Sequence, residues 1–82
     1  MKICFSDCPS WFTHWIADTY QDEFHSRAVE LNIEQDRIAL MACAVEFFNK
    51  KDGLTAWVVD EKLWFEFDAD TPDWTYRILK NS

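Results

Sequence analysis

Glycine is nearly missing from this 82-residue sequence: Gly53 stands alone, and only two prolines accompany it. One glycine cannot build a phosphate-cradling loop or a dinucleotide-binding turn, each of which needs several at fixed spacing. Positive charge is scarce too, with eight Lys and Arg against fifteen Asp and Glu, a formal net charge of −7. That balance argues against direct nucleic-acid binding through phosphates and against adsorption to an anionic membrane. No apolar run approaches the roughly 18 residues of a membrane span, and Asp7 and Pro9 cut short the stretch a secretory signal would need. Three cysteines, Cys4, Cys8 and Cys43, are an odd number, which points to reduced thiols and a cytoplasmic protein.

What is abundant is apolar and aromatic. Hydrophobic residues make up 49% of the chain, and it carries five Trp, seven Phe and two Tyr. That content excludes intrinsic disorder, and the length sets one domain over residues 1–82. A domain this small buries only about 60–65% of the surface of its unfolded chain. It can hardly enclose fourteen rings, so some are expected at the surface, as at an interface.

Lys2 to Phe5 suits a short strand. Asp7 or Ser10 can cap a following helix, with Pro9 in its first turn. Phe12, Ile16, Tyr20, Phe24 and Ala28 then repeat every four residues, one stripe of a helix from about Ser10 to Leu31. Asn32 marks the break and the next cap, with Gln35 three residues on as in a capping box. Ile38, Met41, Ala42, Val45 and Phe48 outline a second helix, ended between Asn49 and Gly53. The period then shortens. Leu54–Val59 and Leu63–Asp68 read as a hairpin, and the lack of glycine at Asp60-Glu61-Lys62 favours a turn of three or four residues over a tight one. Trp74–Leu79, rich in β-prone side chains, reads as a last strand. The expected fold is α+β, in β-α-α-β-β-β order, with two helices packed on one face of an antiparallel sheet.

The acidity is blocked. Residues 60–73 hold six acids against Lys62, and residues 18–36 hold six against Arg27, a net of −5 in each. Alternation places Trp64, Glu66 and Asp68 on one face of a strand, with Asp70 and Asp73 just beyond. Asp18 and Asp22 are like charges one helical turn apart, an arrangement that costs a helix a few tenths of a kcal/mol. Solubility alone accounts for scattered acids; two concentrated blocks, one carrying a tryptophan, point to a docking surface for a basic partner.

Chemistry finds little purchase. Asp68–Asp73 resembles the start of a calcium loop, but Asp73 stands where glycine is required and Leu79 where the bidentate glutamate would be. The spacings among Cys4, Cys8, His14 and His25 fit no usual zinc pattern. Cys8, His14 and Asp18 could form a nucleophile, base and orienting acid, yet no oxyanion site accompanies them. No cofactor, metal or catalytic residue is assigned, and the chain is read as a non-enzyme.

No motif ties the chain to a family. In size and charge it is similar to the small acidic inhibitors of phages and mobile elements, among them anti-restriction and anti-CRISPR proteins, and to immunity proteins for basic toxins. The expected function is therefore inhibition of a basic, nucleic-acid-processing protein. Trp64 would anchor a face of Glu66, Asp68, Asp70 and Asp73, and Asp18, Asp22 and Glu23 would extend it. The alternative is a homo-oligomeric interaction module, a homodimer being the simplest, that buries exposed aromatics against a copy of itself.

Overall fold

A computed structural model describes the backbone of residues 1–81 and the side chains of residues 1–80. Ser82, the last residue of the expected domain, lies outside the described residues. Three strands, β1 (Lys2–Cys4), β2 (Thr55–Val59) and β3 (Lys62–Glu66), form an antiparallel sheet in the order β1-β3-β2. Helices α1 (Ser10–Leu31) and α2 (Arg37–Phe48) fill the chain between β1 and β2, and α3 (Pro72–Asn81) follows β3. The α+β class and the antiparallel sheet are as the sequence implies.

One face of the sheet makes the core. Phe65 of β3 stands between Ile3 on β1 and Ala56 on β2, and all three are buried. Phe12, Ile16 and Tyr20 of α1 and Ala44 and Phe48 of α2 close over them. Phe12 and Phe65, both fully buried, sit 5.5 Å apart between ring centroids. Rings supply most of this volume, which is how a chain this short gains enough apolar burial to offset its ordering entropy.

Several boundaries differ from expectation. Pro9, not Asp7 or Ser10, takes the N-cap position of α1. Its carbonyl accepts from Phe12 N–H and Thr13 N–H, with no side-chain cap. Asn32 ends α1 in the left-handed conformation that asparagine tolerates. It does not start α2: Asp36 does, its carboxylate accepting from Ala39 N–H at 3.1 Å. The largest departure is at the end of the chain, where the segment expected as a strand, Trp74–Leu79, is helical. Pro72 opens that helix, where its missing N–H costs nothing, and Asp73 lies in the positive first turn.

The hairpin turn is also tighter than expected. Val59 pairs with Lys62, leaving Asp60 and Glu61 alone to turn the chain at φ of 52° and 60°. This is the type I′ geometry, normally given to Asn-Gly, because a side chain in the left-handed region costs roughly 1–2 kcal/mol. Tertiary register imposes it: Ala56 opposite Phe65 on the core face fixes the pairing, and a slip of one residue would turn Phe65 to solvent. Glu61→Gly should therefore raise stability by about 0.5–1 kcal/mol, a few degrees in melting temperature. Thermal unfolding in dilute solution checks it; an unchanged or lower midpoint would show that the turn carries no such strain.

Candidate functional site

The structure divides the expected binding residues into two groups on different faces. Trp64 and Glu66 point away from the helices. On that outer face Trp64 lies opposite Cys4 on one side and Trp57 on the other, with the two indoles nearly parallel at 6.4 Å. Glu66 lies between Lys2 and Thr55. Asp68, expected beside them, is beyond the last strand residue: its carboxylate accepts from Asp70 N–H at 3.0 Å, an Asx turn leading into α3.

The other acids gather along α1. Trp11, Trp15, Asp18 and Asp22 are spaced four, three and four residues apart and so share one stripe of that helix. Trp11 meets Phe67 edge-on at 6.3 Å, and Trp15 meets Trp74 at 4.9 Å. Phe67 and Trp74 bracket the segment that holds Asp68, Asp70 and Asp73. These two contacts set the segment that holds Asp68, Asp70 and Asp73 against the tryptophan end of the α1 stripe that also carries Asp18 and Asp22. Sequence reasoning missed the juxtaposition: the heptad-like spacing of the two tryptophans and two aspartates marks the stripe on α1 but not the segment that packs against it.

Arg77 stacks over Trp15 and Trp74 on this flank, but its ion pair is with Asp52. Three ion pairs join described residues: Arg27 with Glu30 at 3.9 Å, Lys51 with Glu23 at 3.9 Å, and Arg77 with Asp52 at 3.6 Å. Glu23 is thus engaged with Lys51, which also lies 3.9 Å over the Phe47 ring. Asp18, Asp22, Asp70 and Asp73 are all exposed, and among the described residues none of them has an ion-pair partner.

The thiols make local contacts. Cys8 lies 2.9 Å from the Thr13 hydroxyl and 3.3 Å from the Phe5 carbonyl oxygen, so it engages these atoms and not His14. His14 and His25 are both exposed. Among the described residues no three His, Cys, Asp or Glu side chains are grouped to hold a metal ion. A cleft of about 620 Å³ opens between α1, α2 and β3, walled by Ile16, Tyr20, Phe24, Phe48 and Leu63. Its walls are overwhelmingly apolar, with His25 and Gln21 among the few polar side chains along it.

These features define a small acidic α+β domain in which Asp18 and Asp22 stand exposed and without an ion-pair partner among the described residues on one stripe of α1. No family model matches the chain, and comparison with curated proteins and with solved structures found no match either. No described helix is long and apolar enough to cross a membrane.

Proposed function

We propose that the chain is a non-enzymatic binding protein that inhibits a basic nucleic-acid-binding or nuclease partner, in the manner of an anti-defence inhibitor. The observation that carries this reading is the flank of α1 and the loop before α3, where Asp18, Asp22, Asp70 and Asp73 stand exposed with no ion-pair partner among the described residues. Carboxylates held on a rigid helix cost no reorganisation when a basic surface arrives, and they meet it as phosphates would. Trp11, half-buried at the head of the same stripe, supplies an apolar contact of the kind that anchors interfaces. Trp64 and Glu66 face elsewhere and drop out of this footprint.

The test is capture from native lysate on immobilised protein at low salt, followed by release with duplex DNA. A nucleic-acid-processing protein should be retained and then displaced by the DNA, which competes for the same basic surface. Asp18→Lys with Asp22→Lys should slow its association about 10–100-fold while leaving the fold intact, since both side chains are exposed on a helix. Retention that neither DNA nor the double variant disturbs would overturn the proposal.

A further inference from the structure

Strand β2 lies at an edge of the sheet, paired with β3 on one side only. Because Val59 and Lys62 flank a two-residue turn, the backbone groups of Thr55, Trp57 and Val59 face β3, and those of Leu54, Ala56 and Val58 face outward. The carbonyl of Leu54 is taken from that outer side by Lys50 N–H at 2.7 Å. Ala56 and Val58 remain with both backbone groups aimed past the sheet. Proteins ordinarily protect such an edge with charge, proline or a bulge. Thr55-Ala56-Trp57-Val58-Val59 has none of these, in a chain that is otherwise 28% charged. Val58 and Val59 are 40% and 48% exposed. The opposite edge is different: β1 is three residues long, begins with Lys2, and turns at once into a single 3-10 turn, Phe5–Asp7.

We propose that β2 pairs antiparallel with β2 of a second copy of this chain, joining two three-stranded sheets into one of six. Centring the two-fold axis on Trp57 sets Ala56 opposite Val58 of the other copy, and these pairs exchange four backbone hydrogen bonds. Trp57 then faces its own counterpart at a non-hydrogen-bonded position, where side chains are closest, and the Trp57–Trp64 stack extends into a row of four indoles.

Charge selects this occupant and this direction. One end of β2 carries Lys50, its neighbour Lys51 being paired with Glu23, and the other carries Asp60 and Glu61. Antiparallel pairing brings the acidic turn of each copy to Lys50 of the other. Parallel pairing would set Asp60 and Glu61 against themselves. Lys50, whose backbone is already folded over the outer side of Leu54, limits the pairing to the Ala56–Val58 stretch and lies at the end of β2 that the incoming turn would meet. The interface thus complements itself, and it stands or falls independently of whether the α1 flank binds a basic partner.

Sedimentation over micromolar to millimolar concentration tests it. The mass should rise from 9.8 kDa towards twice that value, accompanied by a growing near-ultraviolet dichroism as the Trp57 rings become fixed against each other. Val58→Pro removes only an outward N–H, so it should stay monomeric with an unchanged far-ultraviolet spectrum. Lys50→Glu or Glu61→Lys alone should weaken dimerisation about tenfold at low salt, and the two together should restore it. A wild-type mass of 9.8 kDa at every concentration would overturn the proposal. So would a dimer that survives in folded Val58→Pro, or a doubly reversed variant no better than the single ones.

Discussion

Replacing Trp74 with alanine should cost about 3–5 kcal/mol and lower the melting temperature by on the order of 20 °C. A domain of this size has a total stability of roughly 4–12 kcal/mol, so the substitution removes a large share of it. The side chain is 2% exposed and stacks on Phe67 with ring centroids 3.9 Å apart. It meets Trp15 edge-on, and its indole N–H donates to the Asp52 carbonyl at 2.9 Å. With Arg77, which stacks over Trp15 and pairs with Asp52, it ties α3 to both α1 and the turn before β2. Trp74→Phe keeps a ring in the stack and loses the donor, and should cost roughly 1–2 kcal/mol. Equilibrium urea unfolding of the two variants separates packing from hydrogen bonding. Equal losses would mean that the indole N–H, and not the buried ring, holds the helix.

That residue also shows where the sequence was misleading. Trp74, Thr75, Tyr76 and Ile78 have strand propensity, and taken alone they favour an extended segment. The competing signals were Pro72 followed by Asp73, a helix opening, and Trp74 with Ile78 one helical turn apart on the side that packs inward. Helix α1 was legible to the residue because Phe12, Ile16, Tyr20 and Ala28 are all buried along one stripe, so its periodicity and its burial coincide. The Asp60-Glu61 turn could not be read locally: its two left-handed residues are set by Ala56 meeting Phe65 across the sheet. Tertiary pairing there outweighs the conformational preference of the residues that make the turn.

The candidate site was legible in composition and not in place. Both acidic blocks were evident from charge counting, but alternation along a strand suggested that Trp64, Glu66 and Asp68 formed their centre. The strand ends at Glu66, and Asp68 turns its carboxylate to the Asp70 N–H. What joins the blocks is a long-range contact, α1 tryptophans against Phe67 and Trp74, that no local pattern encodes.

Asp52 separates the acids that hold the fold from those available to a partner. Asp52→Ala should destabilise the protein by about 1–3 kcal/mol. Its carboxylate accepts from the buried Tyr20 hydroxyl and faces Arg77, whose guanidinium stacks over Trp15 and Trp74 with centroid distances of 4.9 and 4.6 Å. Its φ of 51° adds a conformational penalty for alanine. Asp52→Asn tolerates that backbone and can still accept from Tyr20, so it should cost only about 1 kcal/mol. Each variant removes one negative charge, yet neither should slow capture of a basic partner, because this carboxylate is already engaged by Tyr20 and Arg77. Asp18→Lys with Asp22→Lys should do the reverse, leaving the unfolding midpoint nearly unchanged while association slows. Measuring stability and association on the same set of variants distinguishes a localised surface from diffuse charge. If Asp52→Asn slows association as much per unit of charge as the α1 pair does, net charge alone drives binding and the flank has no special part in it.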